Sequence, residues 1–253
     1  MIKIDTEALK QSYKKILSQV DAEQYTFDED KYSGVFLSYP FGAYATAKVK
    51  VMIVGRETAG WNTNNGKNTV KRIIEKNQNN QIDEVIEESF SRYSWHLKDK
   101  ANGKVRTKHR SHFKRYLTNV AKQLDVDPEG IVYANLFAWD YNGKSPLGRP
   151  ENELEKVTEV SMELLAEQIR LYQPEHIIFA TGVNKVDPVI KKLFETHFAG
   201  YETVDVDPKK LWQFNAAGAK CYRVAHPRAL SNGHPERRQK VIDLIRHSHG
   251  SET

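Results

Sequence analysis

The stretch "KVKVMIVG" (residues 48–55) decides the fold. Val51, Met52, Ile53 and Val54 follow one another without a polar break, and Gly55 ends the run. A continuous apolar run of this length suits a strand buried on both faces, because a half-exposed strand would alternate apolar with polar. Three more runs repeat the pattern: "IVYANLF" (131–137), "HIIFATG" (176–182) and "KCYRVAH" (220–226). Helical patterns lie between them. Phe113, Tyr116, Leu117, Val120, Ala121 and Leu124 form one apolar stripe, and Ile82, Val85, Ile86 and Tyr93 form another. Pro150 opens "PENELEKVTEVSMELLAEQIRLY", with acids in its first turn, and Pro235 opens a last helix in the same way. Strands alternating with helices predict an α/β fold: three layers, α/β/α, around a four-stranded parallel central sheet with right-handed crossovers. A ligand is then expected beyond the carboxyl ends of the strands.

The bulk numbers set limits on this reading. The chain has 253 residues, 39% of them hydrophobic and 10% aromatic, enough for one large core. The expectation is one domain over 1–253 with a helical, basic insertion at about 62–112. The formal net charge of +5 is a weak pointer to a polyanion; a soluble protein with a lysine-rich surface has the same balance. Cys221 is the single cysteine, which excludes an intramolecular disulfide framework and any four-cysteine metal site within the chain. No apolar stretch is long enough to span a bilayer, and "MIKIDTEALKQSYKKI" reads as an amphipathic helix without a signal-peptide core. The expected location is the cytoplasm.

The insertion opens with "NTNNGKNT" and carries two helical patterns. Its later part, "HLKDKANGKVRTKHRSHFKR", holds Lys98, Lys100, Lys104, Arg106, Lys108, Arg110, Lys114 and Arg115 against one acid, Asp99. Such a segment can supply sequence-independent affinity for phosphates, or simply face water. His109 and His112 have the spacing of one helical face, but no further metal ligands accompany them.

The polar residues at the strand ends come next. The first run leads into Gly55-Arg56-Glu57-Thr58-Ala59-Gly60-Trp61, which is neither a phosphate loop nor a dinucleotide fingerprint. A carboxylate there can be catalytic or a helix cap. The second leads into Asn135-Leu136-Phe137; a side-chain amide suits the edge of a base, and equally ties down a loop. The fourth leads into His226-Pro227-Arg228-Ala229-Leu230-Ser231. There a stiffened turn presents an imidazole, a cation and an apolar wedge together, as in proteins that distort DNA.

This set resembles the uracil-DNA glycosylase superfamily. Gly55-Arg56-Glu57 is similar to its first-strand loop, Asn135 to its second-strand amide, and His226-Pro227-Arg228-Ala229-Leu230-Ser231 to its late His-Pro-Ser-x-Leu-Ser loop. The resemblance covers roughly 48–226 and the closing helix, and the late loop is its most specific part. It implies a DNA glycosylase acting on a flipped-out base, with DNA as partner and neither metal nor other cofactor. Glu57 would align or deprotonate water, and His226 would hydrogen-bond the departing base. Asn135 would read the base edge, with Ala59, Trp61 and Phe137 around the base. Leu230 would fill the gap in the duplex, while Arg228, Ser231, Lys108 and Arg110 would hold phosphates. Uracil-specific members place a tyrosine where this chain has Ala59, so the implied substrate extends to C5-modified pyrimidines, damaged or hypermodified in viral DNA. Two departures stand beside this. Glu57 has a longer arm than the family's usual residue, and the lone cysteine separates the chain from iron–sulfur branches. A catalytically silent nucleic-acid-binding module of the same fold, and a flavodoxin-like small-molecule enzyme, share the layering.

Overall fold

The computed structural model describes residues 5–23, 25, 31–61, 69–99, 101–106, 108–183 and 185–250. The polar opening of the expected insertion (62–68) and Lys100 lie outside the described residues. In chain order the elements are α1 (Thr6–Leu17), α2 (Gly42–Thr46), β1 (Val51–Gly55), α3 (Val70–Gln78), α4 (Ile82–Ser94), α5 (His112–Gln123) and β2 (Ile131–Asn135). They continue with α6 (Glu151–Tyr172), β3 (His176–Phe179), α7 (Asp187–His197), β4 (Tyr201–Asp207), β5 (Leu211–Ala216), β6 (Ala219–Val224) and α8 (His234–Gly250).

The strands form one sheet in the order β2-β1-β3-β6-β5-β4. β1 pairs in parallel with β2 and β3, and β3 with β6. β5 runs antiparallel to β6 and to β4. The expected four-stranded parallel sheet is therefore corrected to a six-stranded mixed one. The two unread strands have a physical reason for being quiet in the sequence. β4 is an edge strand, mostly exposed on both faces, with Val204 and Val206 in water among Glu202, Asp205 and Asp207. Charges on an edge blunt pairing with other chains and erase the apolar signature. β5 does alternate, with Trp212, Phe214 and Ala216 buried. Its turn into β6 is Ala217-Gly218, with φ of 52° and 76°, as a two-residue hairpin requires.

Alternation along the strands divides the interior into two cores. Met52, Val54, Val132, Ala134, Ile177, Phe179 and Cys221 pack against α1, α3, α6 and α7. Val51, Ile53, Ile131, Tyr133, Ile178, Tyr222 and Val224 pack against α5 and α8. The sheet is thus covered by helices on both faces. All five residues of β1 are buried. Cys221 is a buried free thiol whose pKa is pushed up by burial, in keeping with a packing role. Among the described residues, no helix is long and apolar enough to cross a membrane.

Local chemistry starts the helices where the sequence places them. Pro150 occupies the cap position of α6, with Glu151 and Glu153 in the first turn. The Ser111 hydroxyl accepts from the Lys114 backbone N–H and caps α5. His109 precedes that helix rather than sharing a face of it with His112. Among the described residues, no cluster of His, Cys, Asp and Glu could hold a metal ion.

His176, at the start of β3, is 2% exposed. Burial, with help from His249 and Lys220 nearby, holds its pKa down at about 4. The unfolded chain binds a proton there near pH 6.5 that the folded chain refuses until about pH 4. This contribution to stability is whole above about pH 6.5 and is lost as the pH falls towards 4, by on the order of 3 kcal/mol. Urea midpoints measured at pH 7, 5.5 and 4.5 should fall in that order. His176→Gln should flatten the acid limb.

Candidate functional site

Because the interior strands are buried on both faces, polar chemistry collects beyond their carboxyl ends. A cleft of about 420 Å³ opens there, in the size range of ligand sites. Its floor is made by strand exits. Glu57 follows β1 by two residues, Asn135 closes β2, and His226 follows β6 by two. In the sheet order β3 separates β1 from β6, so the exits bearing Glu57 and His226 lie two strand spacings apart, roughly 10 Å. The exit of β3 between them is Ala180-Thr181-Gly182, with Ala180 and Thr181 fully buried. The far wall comes from the α4–α5 segment: Arg92, His96, Arg110, Ser111, His112, Phe113 and Lys114.

Asn135 is brought to Gly55 by register. The two are paired across β1 and β2, and the pairing continues past the strands, with Leu136 N–H donating to Gly55 O (2.8 Å) and Phe137 N–H to Arg56 O (2.9 Å). A side chain at position 55 would put its Cβ 2.5 Å from Asn135 Oδ1 and 3.2 Å from the Phe113 ring. Glycine is needed here for close approach, not for an unusual φ. Among the described residues nothing hydrogen-bonds the Asn135 amide, which faces the cleft with its donor and acceptor unused.

The Glu57 side chain is 12% exposed and accepts a two-pronged ion pair from its neighbour, Arg56 Nε (2.6 Å) and Nη2 (3.0 Å). A carboxylate offers about four lone-pair sites, so the pair orients Glu57 and leaves acceptor capacity toward the cleft. The loop that carries it is clamped by buried Asp140, which accepts from Thr58 Oγ1 (2.5 Å) and the Gly60 N–H (2.8 Å). Asp140 ends the "NLFAWD" stretch, but nothing in the sequence marks it as the partner of a loop 80 residues away.

His226 begins a tight turn in which Ala229 N–H donates to His226 O (2.8 Å) and Pro227 presets the backbone. The Arg228 N–H donates to His226 Nδ1 (3.1 Å). A nitrogen that accepts carries no proton, so the neutral ring holds its hydrogen on Nε2, where it can be donated to a ligand. Burial first, then the cations Arg56, Arg228 and Arg238 and nearby His112, hold its pKa down at about 4. Arg238, from α8 and 6% exposed, donates to Ala229 O (2.8 Å) and His226 O (3.4 Å) and so tethers the turn from behind. Leu230 stands out of this turn 67% exposed, with Arg228 and Ser231 exposed beside it.

Of the expected residues, Glu57, Ala59, Trp61, Asn135, His226, Arg228 and Arg110 line one cleft. Ala59 is exposed at its mouth, whereas Trp61 is 3% exposed and packs edge-on against Phe36. Phe137 does not line it: the ring is fully buried in the other core, so the expected base contact is corrected. Phe113 stands at the cleft instead, half-buried, at the first turn of α5. It was legible only as the start of a core stripe. Lys108 is exposed and outside the cleft. Two of the segment's cations are already paired, Lys98 with Glu129 and Arg106 with Asp99.

No protein-family model matches the chain, and no curated protein matches it significantly.

Two outcomes are expected from this geometry. Nitrogen-detected NMR should find His226 as the neutral Nε2–H tautomer from pH 8 down to about pH 5; titration near 6.5 would contradict the geometry. Gly55→Ala should lower stability by about 1–3 kcal/mol through overpacking and displace the Asn135 side-chain amide resonances, while Gly148→Ala, where the added carbon meets nothing within 4 Å, should leave those resonances in place.

Proposed function

We propose that the chain is a DNA glycosylase of the uracil-DNA glycosylase-like kind, hydrolysing the N-glycosidic bond of an extruded uracil or C5-modified pyrimidine. The observation that carries this reading is the meeting of Glu57, Asn135 and His226 in one cleft, from three strand exits far apart in sequence. Leu230 beside the cleft suits a wedge that holds a duplex open. The β2-β1-β3-β6 run of parallel strands is in keeping with the family's central sheet.

In this reading the sugar becomes cationic and the departing base anionic in the transition state. The glycosidic electron pair leaves with the base. His226 Nε2–H donates a hydrogen bond to the base oxygen on which that charge grows, a preorganised interaction that needs no change of protonation. Water adds to the anomeric carbon, its proton passes to Glu57, and an abasic sugar and a free base result. Asn135 pairs with the base edge, and Ala59 leaves the mouth open beside it. Arg228 and Ser231 contact phosphates and set the register.

The Arg56–Glu57 ion pair favours a second reading, a catalytically silent binder of DNA, because it offsets the charge that the sugar cation would need. One experiment separates the two. DNA carrying uracil or 5-substituted uracils is incubated with the protein and cleaved by alkali at abasic sites. An enzyme should release base. Glu57→Gln should slow release by about 10²–10⁴ and His226→Ala by about 10²–10³, both with DNA affinity retained. Binding without release on every substrate would sink the enzymatic reading.

A further inference from the structure

The half of the cleft walled by the α4–α5 segment is built differently from the half that holds Glu57. Its side chains include three cations, Arg92, Arg110 and Lys114. Arg92, Arg110 and Lys114 have no carboxylate partner among the described residues. The Lys114 ammonium donates to the His96 carbonyl (2.6 Å) and has no other partner among the described residues. The Arg92 guanidinium lies over the Trp61 ring, 5.3 Å from its centre. Among the described residues Arg92 Nε is buried with no acceptor, and so is Nε1 of Trp61, a residue lining the cleft and 3% exposed. The positive end of the 12-residue helix α5 opens onto the same wall, through Ser111, His112 and Phe113. Buried donors left unpaired cost on the order of 1–3 kcal/mol each, and crowded cations repel one another. The consequence is visible at Lys114, whose pKa burial and the nearby Arg92 and Arg106 bring down to about 8.

We infer that this half of the cleft is an oxyanion subsite that takes a phosphate or carboxylate group of the substrate, held by Arg92, Arg110, Lys114 and the Trp61 indole N–H. An oxyanion there would give the orphaned donors an acceptor, offset the repulsion among the three cations and sit on the helix N-terminus. Lys108, exposed and outside the cleft, takes no part in it. The inference rests on the cleft being the substrate site. Two sources supply the same chemistry: a phosphodiester flanking the extruded nucleotide, or an acidic substituent carried by the base itself.

The test is a titration of the full chain with inorganic phosphate, followed at the Trp61 indole and Arg92 Nε–H resonances. Saturable shifts at both, with a rise in the Lys114 pKa, are expected. Arg110→Gln, at an exposed position that cannot endanger folding, and Lys114→Gln should each weaken phosphate binding about tenfold. Phosphate is then competed with an abasic oligonucleotide, which has only phosphodiesters to offer, or with free 5-carboxyuracil, which has only the base-borne carboxylate; the competitor that displaces it names the source. Non-saturating shifts scattered over surface lysines, unchanged affinity in both variants, or displacement by neither competitor would overturn the subsite. Base release is not read in this titration. Absence of release on all DNAs with intact phosphate binding removes the glycosylase reading alone, and release with no phosphate response removes the subsite alone.

Discussion

Burial of β1 on both faces is the constraint from which the rest follows. A strand with helices above and below has no room for a polar side chain along its length, so Glu57 can stand only past its end. β2 ends on Asn135, β6 carries exposed Lys220 and buried Arg223, the latter paired with Asp187, and parallel pairing of β1, β2, β3 and β6 makes the strand ends face the same way. Three residues separated by up to 169 positions therefore share one edge of the sheet.

What the ends require is support, and it comes from residues with no part in ligand contact. Asp140 ties the Glu57 loop by two hydrogen bonds, and Arg238 ties the His226 turn by its carbonyls. Both are buried polar groups whose burial cost these bonds, with the Gly143 N–H on Asp140 and the Ala225 carbonyl on Arg238, offset. Gly55 acts by absence: without a Cβ it lets the Asn135 amide and the Phe113 ring close over the strand end. The precision of the cleft is set by these three.

Electrostatically the cleft is lopsided. Among the described residues that line it, Glu57 is the one carboxylate, already paired with Arg56, against Arg92, Arg110, Lys114 and Arg228. His226 adapts to this field by staying neutral, and the Arg228 N–H on Nδ1 decides which ring nitrogen donates. A positive, partly desolvated cavity attracts anions from solution and strengthens each hydrogen bond made within it. That character belongs to the wall built by α4 and α5 as much as to the strand ends.

The apolar runs at 48–55, 131–137, 176–182 and 220–226 were sufficient by themselves to locate four strands, because burial on both faces leaves a mostly apolar signature, interrupted at Arg223, where Asp187 pairs it. The polar residues at or just past the strand ends, Glu57, Asn135 and His226, were legible for the same reason: a polar group at the end of such a strand stands at the sheet's edge. The edge strand β4 was illegible, since its valines alternate with charged residues in water and leave no apolar run. Tertiary structure alone decided that Phe137 turns into the far core while Phe113 meets the cleft, because which face a ring takes depends on the register of β1 with β2 and the packing of α5. It alone assigned Asp140 and Arg238 their loops and left Arg92 and Trp61 with donors unmatched, for hydrogen-bond partners are fixed by proximity in space, and no spacing along the chain encodes that.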